Sequence, residues 1–314
     1  MAYDKPWKSY QEQLDQLIQR GMIVTDTAKA LHYLERIGYY RLSGYWYPFR
    51  ERGGVDRVAL DSFKAGASFQ NAVDLYVFDK KLRLLVLDAL ERIEIALRVD
   101  ISHTLGEKDP FAHTKPEFLS DNFTRQVNGW NLTKHEQWLD NHDSLIIRSR
   151  EKFIEHNKDK YGLPLPVWIA CEIWDFGTLS KLFAGMKPED KNAIARKYGV
   201  SNGRIFESWL RSLNYLRNVC AHHSRLWNAN IVDRPQLPSP SDANNGGPFL
   251  SDLRQNQRVF CLLCISKHLL NIINPSSSWG NRLRALLLEF PDIQHLQLGL
   301  KSMGAIEGWE KWNW

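Results

Sequence analysis

No run of eighteen or more apolar residues occurs in the 314-residue chain, and a helix that crosses a bilayer needs about that length. The first residues, Met1-Ala2-Tyr3-Asp4-Lys5-Pro6-Trp7-Lys8, lack the apolar stretch of a signal peptide. Together these absences predict a cytoplasmic protein with no membrane partner. Cysteine is scarce. Cys171, Cys220, Cys261 and Cys264 are the only four, each in apolar surroundings, where a free thiol packs as a small hydrophobe. Cys261-Leu262-Leu263-Cys264 has the spacing of a redox or zinc motif. No second pair or histidine cluster follows at zinc spacing, however, and Ile265, Leu269 and Leu270 make the segment read as a core helix. Gly-x-Ser-x-Gly, Gly-x-x-x-x-Gly-Lys, Gly-x-Gly-x-x-Gly and His-Glu-x-x-His are all missing, which removes the common signatures of hydrolase, nucleotide-loop, dinucleotide and zinc-protease chemistry. His135 and His142 stand too far from any partner motif to argue for a metal. No cofactor is implied, and no internal repeat is evident.

What is present is a hydrophobic, aromatic and mildly basic chain. Hydrophobic residues make up 43%, enough for a real core in one large domain or two modest ones. The net charge of +5 permits an anionic partner without demanding one. Twelve tryptophans, eleven tyrosines and fourteen phenylalanines weigh more, because rings interleaved with arginine are a means of holding unpaired bases, although most aromatic residues belong to cores.

Periodicity predicts an all-α protein. Val86, Leu90, Ile93, Leu97 and Ile101 recur at steps of four, three, four and four and mark a long helix over 75–102. Its other faces carry Lys80, Lys81, Arg83, Asp88, Glu91, Arg92, Glu94 and Arg98, with Glu94 and Arg98 spaced for an ion pair. Shorter helices are expected at 11–20 and 27–37, and a weaker helical region at 131–157. A core helix should begin at Pro166 and end near Gly177, with Thr178 or Ser180 capping the next. Pro188 to Tyr198, ended by Gly199, makes another helix. Ser201-Asn202 caps the one that carries Ile205, Trp209, Leu213 and Leu216. Pro235, Pro238, Pro240, Asn244, Asn245, Gly246, Gly247 and Pro248 then signal a loop, followed by helices at 251–273 and 281–290. The resulting division is an N-terminal helical segment (1–60), a core (61–230), a Pro/Asn/Gly-rich loop (231–250) and C-terminal helices packing on the core (251–314).

The helix after Asn202 runs into Arg217-Asn218-Val219-Cys220-Ala221-His222-His223. Asn218 and His222, four residues apart, share a helix face, and the long Arg217 side chain can reach round to them. Arginine offers phosphate a planar fork of donors, and histidine both takes and gives a proton near neutrality. The set therefore suits binding and cleavage of a phosphodiester. A capped helix end with a salt-bridged arginine is the alternative. His222, His223, Ser224, Arg225, Trp227 and Asn228 crowd polar groups where an apolar helix ends, which favours a site over a plain cap. Glu91 and Glu94 are candidates to anchor Arg217 or orient an imidazole, or are ordinary solvated acids. Residues 38–50 put Tyr39, Arg41, Tyr45, Trp46 and Arg50 close together. With Arg225, they form either an RNA-binding surface or, for the rings, an aromatic core plug.

Arg217 to Asn228 resembles the signature of the Abi-like bacterial abortive-infection proteins of the AbiD/AbiF type, a branch of the HEPN superfamily. Ile37 to Tyr45, Glu91 to Arg98 and Trp168 to Ser180 resemble further stretches of that family in the same order, and the likeness covers about residues 15 to 230. It implies an all-helical HEPN-like bundle with N- and C-terminal helical extensions, and a cofactor-free, metal-independent endoribonuclease. On this chain Arg217 would hold the scissile phosphate, Asn218 would position groups around it, and His222 would be the general acid/base. His223 also satisfies the permitted spacing. Attack by the RNA 2′-hydroxyl would leave a 2′,3′-cyclic phosphate and a 5′-hydroxyl. The family's nucleases use two facing motifs, which implies a homodimer here. A toxic nuclease of phage defence, dormant until infection, is one expectation. A non-catalytic RNA-binding protein, forming a ribonucleoprotein with a structured non-coding RNA, is the other.

Overall fold

The computed structural model describes residues 6–126, 131–238 and 257–314. Most of them are helical, and each helix start has a local cause. Ser9 and Glu12 form a capping box for α1 (Tyr10–Gln19), and Asp26 caps α2 (Thr27–Arg36). Gly38, at φ +90°, turns the chain into α3 (Tyr39–Trp46). Two short strands, β1 (Arg50–Gly53) and β2 (Val58–Phe63), then pair antiparallel with a bulge between Arg50 and Arg52. This hairpin is the one β element the periodicity did not announce. Its residues alternate too little to read as strand.

Ser68 and Asn71 box the start of α4 (Phe69–Gly106), a 38-residue helix about 57 Å long. The anticipated stripe of Val86, Leu90, Ile93, Leu97 and Ile101 is fully buried. Four further helices form its near surroundings in sequence: the one-turn α5 (Asp121–Thr124), α6 (Lys134–Arg148), α7 (Lys152–Tyr161) and the one-turn α8 (Val167–Ala170). The single helical region expected at 131–157 is divided because Ser149 turns extended after accepting its place as the cap of α6.

The expected helix from Pro166 to Gly177 is likewise corrected. Chain direction changes through a 3₁₀ turn at Cys171–Ile173, and Trp174 is extended. Asp175, not Thr178 or Ser180, caps α9 (Phe176–Gly185), accepting from the Thr178 amide at 2.8 Å. Gly177 lies inside that helix. A Cβ there would lie in ordinary contact with Asn214 Oδ1 at 3.4 Å, so the glycine faces Asn214 from inside the helix and is not a stop signal. The break leaves Trp174 fully buried.

α10 (Pro188–Lys197) ends at Gly199, φ +65°, and Asn202 caps α11 (Gly203–Ala221) as expected. α12 (Val259–Ile273) and α13 (Trp279–Leu288) close the bundle. Pro240, Asn244, Asn245, Gly246, Gly247 and Pro248, and the expected helix start at 251–256, lie outside the described residues. α3, α11, α12 and α13 all pack on α4, and the buried cluster draws residues from Leu14 to Trp314. All four cysteines are free and buried. Burial pushes the thiols of Cys220 and Cys261 up to about 12, as inert core thiols require. Among the described residues no helix is long and apolar enough to cross a membrane.

Of the four buried histidines, His113, His135 and His142 cluster together, while His268 lies apart. Trp174 Nε1 donates to His142 Nδ1 at 2.9 Å, and His135 Nε2 meets the His113 carbonyl at 2.9 Å. Neither ring nitrogen of His113 has a hydrogen-bond partner among the described residues. Burial holds His113 and His142 near 3 and 4, well below the ordinary 6.5. The unfolded chain therefore binds more protons between about 6.5 and 4, so stability is full above that window and falls as the pH drops through it. Melting temperature should decline between pH 6.5 and 4. In His113→Leu the decline should be shallower, with stability at pH 7 changed by less than about 1.5 kcal/mol, since the swap removes two unsatisfied nitrogens at nearly constant volume.

Candidate functional site

The site grows from the end of α11. Leu210, Leu213, Leu216 and Cys220 face the core, which turns Asn218 and His222 outward, and both are exposed. Arg217 is half-buried, with Nη1 3.4 Å from Asn218 Oδ1. The helix ends in a Schellman motif: Ser224 N donates to the Val219 carbonyl at 2.9 Å and His223 N to the Cys220 carbonyl at 3.1 Å. Such a motif needs a left-handed residue, usually glycine. Here it is His223, at φ +56°. An imidazole held in the position glycine prefers is a strained choice of the kind found at functional sites. Both histidine rings are exposed, and neither has a hydrogen-bond partner among the described residues.

Residues on α3 and α4 hold this end in place. Arg41 Nη1 donates to the His223 carbonyl at 2.7 Å, Arg225 donates to the Gly44 carbonyl, and Arg83 reaches the Ser224 carbonyl at 3.3 Å. Beneath them Asp79 is fully buried and accepts from the amides of Leu226 and Trp227, from the Tyr45 hydroxyl at 2.8 Å and from Arg83 at 2.5 Å. Burial pushes the Asp79 carboxyl up, while Arg83 and the two amides pull it back. Burial also raises the Tyr45 hydroxyl, with the Asp79 charge adding to it. Periodicity had put Arg83 on a polar face of its helix. At 5% exposure it is a core residue, because Asp79 one turn earlier supplies the countercharge.

The remaining sequence candidates divide. Glu94 ion-pairs with Arg98 at 2.6 Å. Burial raises its carboxyl, and the charges of Arg98 and, less strongly, Arg217 oppose that rise, so of the two acids Glu94 is the one the motif's arginine acts on. Glu91 is exposed and has no hydrogen bond or ion pair among the described residues. Tyr45 and Trp46, candidates for stacking on bases, are 2% and 1% exposed. The core-plug alternative holds for these two, since Trp46 packs edge-on against Tyr39 and beside Phe69. Tyr39 is half-buried. Arg50 is engaged in the hairpin, 3.5 Å from Asp61 and over the Tyr47 ring. The neighbouring Tyr40, not singled out from the sequence, exposes 92% of its surface. Asp79 was also missed. The available signal was an acid and an arginine at i and i+4, both in register with the apolar stripe Leu75, Leu82 and Val86.

The other three stretches that carried the resemblance therefore lie along the second half of α11 and its end: α3 through Arg41 and Gly44 at His223 and Arg225, α4 through the charge of Glu94 on Arg217, and the α8–α9 corner through Gly177 at Asn214. An all-α protein that presents an exposed Arg-Asn-x-x-x-His-His helix end defines the class. The family described as Abi-like protein matches residues 32–228. The chain belongs to that family and is an abortive-infection-type protein. None of the curated proteins and none of the solved structures matches it.

Two outcomes test this construction. Asp79→Ala leaves Arg83 buried without its countercharge and should destabilise the fold by about 3–5 kcal/mol in denaturant titration. His223→Gly places the preferred residue at φ +56° and should leave the melting temperature unchanged or raised. A marked fall in melting temperature would mean that the His223 ring is structural.

Proposed function

We propose that the protein is a metal-independent endoribonuclease of the HEPN type, acting in phage defence as a homodimer. The observation that carries this reading is the exposed helix end on which Arg217, Asn218 and His222 stand while His223 occupies a glycine position. A helix C-terminus carries partial negative charge and by itself disfavours phosphate. Arg217, Arg41 and Arg225 around it reverse that field, and Arg217 is the one whose fork is bound to no backbone carbonyl among the described residues.

In the reaction Arg217 holds the non-bridging oxygens of the scissile phosphate. A His222 imidazole takes the proton of the adjacent 2′-hydroxyl, whose oxygen attacks the phosphorus. The P–O5′ bond breaks, and a second imidazole gives its proton to the leaving oxygen. The products are a 2′,3′-cyclic phosphate and a 5′-hydroxyl. One His222 cannot be both neutral base and protonated acid in the same event. An exposed motif on each of two chains supplies both forms, which is the reason for the dimer.

The rival reading is an RNA-binding protein that grips phosphate without cleaving it, with a structured non-coding RNA as its partner. It draws on Tyr40, an exposed ring beside Arg41 suited to stacking on a base. Mutation separates the two. Arg217→Ala and His222→Ala should each lower RNA cleavage by about 10²-fold or more and abolish growth arrest, with RNA affinity kept within a few-fold. Survival of His222→Ala with loss only in the His222→Ala/His223→Ala protein would transfer the role to His223. Undiminished cleavage in the double variant would sink the catalytic proposal.

A further inference from the structure

A cleft of about 940 Å³ lies away from the motif, between α6, α9, α10 and the first half of α11. Lys134, Lys181, Lys191, Arg204 and Arg211 line it, and among the described residues its one acid is Glu207. Glu207 is taken by Lys191 at 2.8 Å. Lys134, Lys181, Arg204 and Arg211 are exposed and have no carboxylate partner among the described residues. Four positive charges thus converge on one concave surface without compensation, an arrangement that focuses field and attracts an anion.

The cleft is not isolated from the motif. Arg204, Glu207, Arg211, Asn214, Asn218 and His222 follow one another on α11 at spacings of three, four, three, four and four, which places them on a single helix face. Every one of them is polar. This stripe leads from the basic cleft to the helix end, and Arg211 stands about 16 Å along the axis from His222. The backbone amides at the α11 N-terminus are not the attraction, because Gly203 N donates to Asn192 Oδ1 and Arg204 N to Asn202 Oδ1. The side-chain cations are. A basic groove collinear with a phosphate-handling motif is the pattern by which proteins track a single strand, whereas a free mononucleotide would have no need of the polar connection.

We propose that this cleft binds the phosphodiester backbone of the RNA that flanks the scissile phosphate, so that α11 carries a binding subsite at one end and the reacting groups at the other. The proposal rests on the reading of the motif as an RNA site. Lys181 and Arg211 are the central contacts, and Lys134 and Arg204 flank them.

The test uses the full chain carrying His222→Ala/His223→Ala, so that RNA is not consumed, with and without Lys181→Glu and Arg211→Glu. Affinities for fluorescein-labelled single-stranded RNAs of six and fourteen nucleotides are measured by anisotropy over a range of salt. Both RNAs can span the roughly 16 Å from His222 to Arg211, so both should lose affinity on the charge reversals, the longer one by at least tenfold and by more than the shorter one. With Lys181→Ala/Arg211→Ala, which removes the charges without adding new ones, the slope of log K against log salt should become shallower by about 0.7 for each cation removed. Unaltered melting temperatures would show that the fold is intact. An unchanged affinity and salt slope for the longer RNA would overturn the proposal. So would ATP binding that depends on Lys181 and Arg211 while the longer RNA does not, since the cleft would then serve a free nucleotide. If the parent chain with both histidines fails to cleave RNA, yet fourteen-nucleotide binding still depends on the two cations, the nuclease reading fails and the cleft assignment stands. No RNA binding even at low salt would remove both.

Discussion

A single buried carboxylate, Asp79, ties together the parts of the protein that meet at the motif. It sits on the long α4 and neutralises Arg83 on the same helix. It also receives the Tyr45 hydroxyl from α3 and the amides of Leu226 and Trp227 from the segment after α11. A charge buried to this degree is tolerable only when its hydrogen-bonding capacity is filled. Each element that supplies a donor is thereby fixed relative to the other two. The stretch that follows His223 cannot drift without leaving the carboxylate unsatisfied.

That constraint explains why a helix end can serve as a precise chemical surface. Helix C-termini fray, and their last carbonyls seek partners. Here the Schellman bonds satisfy Val219 and Cys220, while Arg41 and Arg83 satisfy His223 and Ser224. The rings of His222 and His223 are left exposed on a backbone with little freedom. Arg41 and Arg225 spend donors on carbonyls and still contribute charge. Structure and electrostatics are therefore served by the same two guanidinium groups, and Arg217 is the arginine at this end bound to no backbone carbonyl among the described residues.

Much of the fold was legible in the residues. Steps of three and four along Val86, Leu90, Ile93, Leu97 and Ile101 revealed the spine, and Asn202 announced the start of the helix that bears the motif. Glycine misled at one point: Gly177 reads as a stop but marks where α9 approaches Asn214 of α11. Aromatic residues misled at another. Tyr45 and Trp46 have the composition of a stacking surface, yet the amphipathic turn of α3 aims them inward and leaves Tyr40 outside. Composition counts rings, whereas the helix phase and the neighbouring α4 decide which of them meet water.

The local pattern by itself determined the all-α class, the helix that ends in Arg217 to His223, and the family to which the chain belongs, because periodicity and motif spacing are properties of neighbouring residues. Tertiary structure alone decided that Glu94 rather than Glu91 is the acid that feels the charge of Arg217, that Asp79 and Arg83 form a buried pair, that His223 takes a left-handed conformation, and that four cations without a carboxylate partner among the described residues, from three helices, line one cleft. Each of these depends on groups far apart in the chain, and only packing brings them within the few ångströms over which charge and hydrogen bonding act.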